Sequence, residues 1–232
     1  MTLQVAMSAS LDQKYYEAVA PNGVAEALLI AARENIFRDF MTRMKPFPHD
    51  RILDVGVSDI INDGANVLER KYAHQANITA CGLGAGTEFQ RAFPQATYVP
   101  IEPNRPLPFA DNAFDIATSN AVLEHLGSFQ SQQTFVRELC RVASRVFITV
   151  PNRFFPVEHH TAIPIAHYEN RLFRIACWLT GKSDWSREEN LILMTRKRLR
   201  RVAAPTDKST TAVGYTGLLL GPFSSNLYLA LH

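Results

Sequence analysis

The spacing of apolar residues along the chain changes near residue 50. Before that point, apolar positions such as Leu28 and Ile36 recur at multiples of four residues, the spacing of an amphipathic helix. The pattern predicts helix over residues 11–44. We expect a break at the Pro-Asn-Gly of 21–23 and an end at the proline-rich 45–48, because proline and glycine interrupt helices.

From residue 51 onward, short apolar runs alternate with helical patterns. The runs that predict strands are residues 51–57, 78–83, 97–101, 114–118 and 146–150, and the segments that predict helices are 64–72, 87–93 and 129–142. Buried strands that alternate with helices are typical of a parallel sheet with helices on both faces. The middle of the chain therefore predicts an α/β fold.

The last 46 residues follow a different pattern, which predicts one helix followed by two strands. Residues 187–203 predict a helix, and the apolar runs 216–220 and 226–231 predict two strands. The five residues 221–225 that join them include glycine and proline. A short connection of this kind predicts an antiparallel pair at the end of the sheet.

Composition narrows the class of protein further. The chain has 232 residues, 47% apolar and 20% charged, which excludes disordered, coiled-coil and collagen-like proteins. The net charge is +2, and the basic run 196–201 has no interleaved aromatic residues, so we expect no nucleic-acid partner. Three widely spaced cysteines, no secretory leader pattern and no long apolar stretch predict a cytoplasmic protein without stable membrane insertion.

Polar residues follow the predicted strands where a ligand of an α/β sheet would bind, beyond the carboxyl ends. Asp54, Gly56 and Ser58 follow the first strand, and glycine permits a tight turn close to a ligand. Glu102 begins a loop with three prolines, which is stiff before any ligand binds. Asn120 follows the fourth strand.

Three segments together carry a family resemblance: ILDVG (52–56), LPFADNAFDIATSNAVLEH (107–125) and VPNRFFPVEHHT (150–161). The combination resembles the class I S-adenosylmethionine-dependent methyltransferases, in particular the small standalone enzymes that act on small molecules, lipids or sugars. The resemblance implies a three-layer Rossmann-like sandwich, with a mostly parallel seven-stranded sheet and an antiparallel last strand. It divides the chain into a helical lid (1–48) and a methyltransferase domain (49–232) with an acceptor-side insertion (151–185).

The resemblance also implies a role for each strand end in binding S-adenosylmethionine. The first loop would surround the methionine half, the second strand end would meet the ribose, the third would approach the adenine and the fourth would line the region near the sulfonium. The residues in these places are, in that order, Asp54, Gly56 and Ser58; Gly82 and Leu83; Glu102 and Asn104; and Asn120 and Ala121.

Two departures from the family pattern affect this interpretation. The first loop keeps only Gly56 of the usual alternating glycines, and no acid follows the second strand before Glu88. An acid at that place would accept hydrogen bonds from the ribose hydroxyls, each worth roughly 1.5–3 kcal/mol when charged. Its loss leaves three alternatives: weaker cofactor binding, replacement by Glu88 or backbone groups, or a non-catalytic binding protein with the methyltransferase fold.

A second glycine motif favours a different enzyme class. Gly82, Gly84 and Gly86 follow a strand, and Glu102 lies 20 residues after Gly82, close to the spacing of a nicotinamide-dinucleotide fingerprint. The third glycine is one position short of that fingerprint, and the motif falls in the second βα unit rather than the first. A nicotinamide-dinucleotide oxidoreductase therefore stays open as an alternative.

Histidines near the fourth and fifth strands are the candidates for chemistry on the acceptor. We expect a small-molecule or glycan-like acceptor that is methylated at oxygen, with His160 as the general base and His125 as the second choice. A metal site is the alternative. Because the adjacent His159 and His160 would point in different directions in an extended loop, we expect no bound metal.

Overall fold

The computed structural model describes residues 24–61 and 64–232. The seven strands are β1 (Ile52–Val55), β2 (Ile78–Gly82), β3 (Thr97–Pro100), β4 (Phe114–Asn120), β5 (Ala143–Pro151), β6 (Thr211–Leu220) and β7 (Phe223–Leu231). The six α-helices of these ranges are α1 (Val24–Met44), α2 (Val67–Lys71), α3 (Thr87–Ala92), α4 (Phe129–Val142), α5 (Asn170–Leu179) and α6 (Arg196–Ala203). The helix predicted before residue 21 lies outside the described residues.

The seven strands form one mixed sheet in the order β3-β2-β1-β4-β5-β7-β6. The pairs from β3 to β5 are parallel, whereas β7 is antiparallel to both β5 and β6. This confirms the predicted α/β fold class, including the reversed strand at the end of the chain. The order of strands reverses between β1 and β4, and that reversal leaves a crevice beyond their carboxyl ends.

Helices cover both faces of the sheet and give the fold three layers. Ile52 of β1 and Phe147 of β5 belong to one apolar core, which includes Phe40 of α1. Their sequence neighbours Leu53 and Ile148 belong to the opposite core, together with residues of α4 and α6. The alternation follows from the two-residue period of a β-strand.

The predicted helix over 187–203 is wrong in its first half, because α6 begins at Arg196. Residues 188–190 form a turn, and the residues after it are hydrogen-bonded to distant loops: Ile192 N donates to Glu124 O (2.8 Å), and Met194 O accepts from Arg153 N (2.9 Å). Both side chains are buried. These tertiary contacts outweigh the local helical pattern, and the Thr195 hydroxyl caps α6 by accepting from Arg198 N.

The predicted five-residue connection between the last two strands is also wrong. Leu220 pairs with Phe223, so Gly221 and Pro222 alone form the turn, and Ser224 and Ser225 belong to β7. Gly221 has a φ of +56°, a conformation that glycine adopts without strain. The buried serine hydroxyls bond within the hairpin, which explains why polar residues occupy a strand.

Residues 151–185 lie between β5 and α6 and have a small apolar core of their own. Ile163, Phe173 and Cys177 are buried there together with Leu191. The opposite side of α5 exposes Trp178 and other apolar side chains. Within the two described ranges, no helix is both long and apolar enough to cross a bilayer.

Candidate functional site

A cavity of about 800 Å³ opens at the carboxyl ends of β1 to β5, beside the first half of α1. Nine of the eleven site residues predicted from the sequence line it: Gly56, Gly82, Leu83, Glu102, Asn104, Asn120, Ala121, His125 and His160. Leu29, Ala32, Arg33 and Ile36 of α1 form part of its wall. The second half of α1 packs into the core of the domain, so this helix joins the cavity wall to the sheet.

The other two predicted residues, Asp54 and Ser58, are not among the residues that line this cavity. Ser58 is buried, where its hydroxyl accepts from Ile60 N (3.0 Å). Asp54 borders a separate cavity of about 60 Å³. Burial raises the pKa of Asp54 to about 7, and burial together with the Asp54 charge raises the pKa of Glu69. The two buried carboxyls under the first loop therefore oppose each other's ionisation.

Gly56 makes the sharp turn that ends β1. Its φ is +101°, and its N–H donates to Cys81 O at 2.7 Å. A Cβ atom at this position would lie 2.1 Å from Val122 Cγ2. Glycine is therefore required here by the packing of the loop after β4, and it also brings the backbone to the cavity.

The three glycines that resemble a dinucleotide fingerprint have a packing explanation. A Cβ on Gly86 would lie 2.3 Å from the ring of Tyr98, and one on Gly82 would lie 2.7 Å from Val57 O. The Tyr98 hydroxyl donates to Gly84 O (3.2 Å). Packing against Tyr98 and Val57 therefore accounts for glycine at 82 and 86 without a bound pyrophosphate.

The end of the cavity beside β2 and β3 is bounded by backbone and by one exposed acid. Gly82 and Leu83 follow β2, and Glu102 follows β3 with its carboxylate 3.7 Å from Arg105 Nε. Glu88, the substitute considered for the absent acid of β2, pairs with Arg91 on the surface of α3 instead. Of these two acids, Glu102 is the one at the cavity.

The opposite end of the cavity contains a cluster of buried ionisable side chains. The rings of His125 and His160 are 4.9 Å apart, and Trp185 packs on both. His160 Nδ1 lies 2.9 Å from Glu158 Oε1, and Glu158 Oε2 accepts from the backbone and hydroxyl of Thr161. Residues 151–185 thus supply Glu158, His160 and Trp185 to this cluster.

Burial and pairing set different protonation states for the cluster. Burial opposes the charged form of His160, but the hydrogen bond and charge of Glu158, with the charge of Glu124, raise its pKa. Burial and the charge of His160 lower the pKa of His125 to about 3. Burial acts to raise the pKa of Glu158, but the hydrogen bonds from His160 and Thr161, with the charge of His160, lower this pKa to about 2. At neutral pH, His125 is neutral and Glu158 is ionised.

Glu124 completes the cluster. Its side chain is 1% exposed, and neither carboxylate oxygen has a hydrogen-bond partner among the described residues. Burial raises its pKa to about 7, although the charge of His160 acts in the opposite direction. Neither Glu124 nor the partnership of Glu158 with His160 follows from the sequence pattern. The one available signal was that each acid stands within two positions of a predicted catalytic histidine.

Comparisons with known proteins agree with this architecture. Residues 68–145 match the family model described as "Methyltransferase domain". No curated protein matches the chain.

Solved structures with the same fold include a SAM-dependent methyltransferase from Aquifex aeolicus (TM-score 0.59, 12% identity, 95% of this chain and 97% of that one). Another is magnesium protoporphyrin IX methyltransferase from Synechocystis with bound SAH (TM-score 0.62, 11% identity, 99% and 97%). A third is described as a putative Zn-dependent alcohol dehydrogenase from Rhodobacter sphaeroides (TM-score 0.59, 10% identity, 100% and 98%). At these identities the structures establish the fold alone.

The family match covers β2 to the start of β5, which includes the strand ends on both sides of the crevice. The sheet order places the matched segment in the seven-stranded fold that these methyltransferase structures share. Residues 68–145 therefore match a methyltransferase domain, and the chain has the fold of these S-adenosylmethionine-dependent methyltransferase structures.

Proposed function

We propose that the protein transfers a methyl group from S-adenosylmethionine to an oxygen atom of a small-molecule or glycan-like acceptor. One observation carries this proposal: a single cavity connects the backbone-lined ends of β1 to β3 with the histidine cluster beyond β4 and β5. A nucleoside cofactor and a small acceptor would occupy the two ends of the same cavity. The Synechocystis structure with bound SAH supports the cofactor assignment.

We expect the protein to act mainly by holding the two reactants in position and by keeping water away from them. When bound, S-adenosylmethionine supplies a methyl group that its sulfonium sulfur has already activated. Gly56, Gly82 and Leu83 bring backbone to the cofactor end, and Asn120 and Ala121 border the middle of the cavity. Holding two reactants in line can supply roughly 7–11 kcal/mol of barrier lowering.

When no metal ion is bound, we propose that His160 accepts the proton that the acceptor hydroxyl loses. The Nδ1 atom of His160 is held by Glu158, so Nε2 is the atom that would accept a proton from the acceptor hydroxyl. His125 is a weaker candidate for this role, because its pKa is about 3. His125 would contact the acceptor without holding its proton.

Two further features support the compartment and the class of partner that we propose for the protein. All three cysteines are free thiols, which suits a reducing compartment such as the cytoplasm. The cavity is lined partly by apolar residues and lies below the helical wall, as expected for a small acceptor rather than a nucleic acid.

Calorimetry with S-adenosylhomocysteine and with NAD tests the proposed function. We expect S-adenosylhomocysteine to bind at one site per chain and NAD to give no heat of binding. We also expect wild-type protein to release S-adenosylhomocysteine from S-adenosylmethionine when a panel of small hydroxylated acceptors is added. Binding of NAD without binding of S-adenosylhomocysteine would overturn the proposal.

A further inference from the structure

We propose that Glu124, His125 and His160 bind one divalent transition-metal ion at the acceptor end of the cavity. Each of the three residues offers one ligand atom, and these atoms lie within 4.8 Å of one another. Nitrogen and oxygen ligands at about 2.0–2.2 Å from an ion lie roughly 3–4.4 Å apart. Side-chain adjustments of less than an ångström would therefore close the three residues around an ion.

Glu124 is the strongest sign of an absent partner. Its carboxylate is 1% exposed and has no hydrogen-bond partner within the described ranges. Buried carboxylates are almost always paired, hydrogen-bonded or bound to a metal, since an isolated one is costly. His125 Nε2 lies 3.9 Å from Glu124 Oε1. An ion between the two would satisfy the carboxylate.

Both histidines are oriented by oxygen acceptors at Nδ1. His125 Nδ1 lies 2.8 Å from Asn190 O, and His160 Nδ1 lies 2.9 Å from Glu158 Oε1. An Nδ1–H that donates to a carbonyl or carboxylate fixes the tautomer in which Nε2 carries the lone pair. Histidines that bind metals almost always have such an acceptor on the other ring nitrogen. Glu158 and the Asn190 carbonyl would be positioning groups of this kind.

The ligand types indicate the class of ion. Two imidazoles and one carboxylate suit Zn²⁺, Fe²⁺, Co²⁺ or Mn²⁺, whereas Ca²⁺ and Mg²⁺ prefer oxygen ligands alone. Three protein ligands leave coordination positions open. Because His125 and His160 line the large cavity, those open positions would face the space assigned to the acceptor.

This inference rests on the proposed function and gives it a more specific chemistry. An acceptor with one hydroxyl, or with two adjacent oxygen atoms as in a vicinal diol, would coordinate the ion and lose its hydroxyl proton to solvent. The oxygen would then form a bond to the methyl carbon while the carbon–sulfur bond breaks and its electron pair stays on sulfur. With the ion bound, His160 acts as a ligand, and the base is no longer needed.

Titration of the full, untagged chain with Co²⁺ tests the site. Calorimetry should give one Co²⁺ per chain, and the visible absorption of Co²⁺ should change as imidazole enters its coordination sphere. We expect Glu124→Gln and His160→Ala each to abolish this binding. Glu158→Gln should weaken it by about 10–100-fold, because it removes a positioning group and no ligand. His74→Gln, an exposed histidine far from the cluster, is the matched control and should keep the wild-type affinity.

The outcomes separate this inference from the proposed function. Absence of Co²⁺ binding, or binding that Glu124→Gln leaves unchanged, overturns the metal site, and S-adenosylhomocysteine binding to the same sample would leave the methyltransferase proposal intact. Co²⁺ binding that depends on Glu124 and His160, in a chain that does not bind S-adenosylhomocysteine, would support the metal site and refute the proposed function. Thermal unfolding of each variant checks that it is folded.

Discussion

The two ends of the cavity are built by different means. The end proposed for the cofactor is formed by backbone at the tips of β1 to β3, where Gly56, Gly82 and Leu83 border the space. The acceptor end is formed by buried side chains, with Glu124 and His160 brought together from segments 36 positions apart in the chain. Backbone contacts favour one shape of ligand with little dependence on charge, whereas the buried ionisable groups depend on their protonation and their partners.

This difference predicts that substitutions at the two ends change different properties, namely ligand binding at one end and turnover at the other. Changes at the cofactor end should affect binding of S-adenosylhomocysteine first, because that end is defined by available space. Changes at the acceptor end should affect turnover first, because that end is defined by chemistry. Three substitutions test this contrast, and a fourth tests the carboxyl pair under the first loop.

The largest effect is expected from His160→Ala. Loss of the group that takes the acceptor's proton, or that holds an ion, should lower kcat by about 10²–10⁴-fold. The affinity for S-adenosylhomocysteine should change by less than about threefold, far below the 1.4 kcal/mol of a tenfold effect. Turnover with an acceptor that the wild-type protein methylates, together with calorimetry, measures both. His74→Ala is the control, and a His160→Ala protein with wild-type turnover would remove His160 from the mechanism.

Gly56→Val should have the next largest effect, on binding. The residue has a φ of +101°, and its Cβ would overlap Val122 Cγ2 at 2.1 Å. Backbone strain of this kind costs about 1–3 kcal/mol, and the added side chain also enters the cofactor space. We expect S-adenosylhomocysteine affinity to fall more than about a hundredfold, or 2.7 kcal/mol.

The control for Gly56→Val is Val122→Ala, which removes the neighbouring side chain and keeps the glycine. It should bind S-adenosylhomocysteine within a few-fold of the wild-type protein. If Gly56→Val is folded by circular dichroism and binds with unchanged affinity, the cofactor does not approach this loop.

A smaller effect is expected from Glu102→Gln. Glu102 borders the cavity, whereas Glu88 pairs with Arg91 on α3. A charged hydrogen bond to the cofactor contributes roughly 1.5–3 kcal/mol, and the exposure of Glu102 favours the lower value, so we expect about a tenfold loss of S-adenosylhomocysteine affinity. The matched Glu88→Gln variant should bind normally. The reverse result would show that Glu88 replaces the absent acid after β2.

The smallest effect concerns stability and the carboxyl pair under the first loop. Burial raises the pKa of Asp54 from its ordinary 3.8 to about 7 and also raises that of Glu69. A raised carboxyl pKa stabilises the fold below the ordinary value, and the contribution is lost as the pH rises through the folded-state value. The free energy of unfolding should therefore fall between pH 4 and pH 7.

Glu69→Gln removes one of the two charges and keeps a hydrogen-bonding group. Urea unfolding at pH 5 and pH 8 should show a smaller decrease in stability for this variant than for the wild-type protein. Glu34→Gln changes a carboxyl on the surface of α1 whose pKa is lowered by Lys71, so it should leave the decrease unchanged. An equal decrease in wild-type and Glu69→Gln proteins would contradict the effect of the Glu69 carboxyl on Asp54.

The fold was predictable because its signals are local. Apolar runs and helical spacing located β1 to β5, and α4 (Phe129–Val142) was predicted with its observed ends. The predicted helix over 187–203 failed because the Glu124 and Arg153 backbones pair with residues 192–194, and no local pattern reports such a partner. Side-chain pattern alone also missed that Ser224 and Ser225 are paired in β7.

The residues of the candidate site also divide into those that a local pattern predicts and those that depend on distant partners. The glycine and the polar residues after each strand predicted many of the residues that line the cavity, because the carboxyl ends of parallel strands meet at one edge of the sheet. Glu124 could not be assigned from the sequence, since its meaning depends on His160 and Glu158 approaching it through the insertion. The glycines at 82, 84 and 86 were ambiguous until Tyr98 was placed over them.

The most direct test of the central claim is a crystal structure of the chain with S-adenosylhomocysteine. We predict that the adenosyl group lies between Gly82 and Glu102, and that the sulfur lies beside Asn120 and Ala121 on the side of His160. A nucleoside bound outside this cavity, or a sulfur directed away from the histidine cluster, would contradict the account.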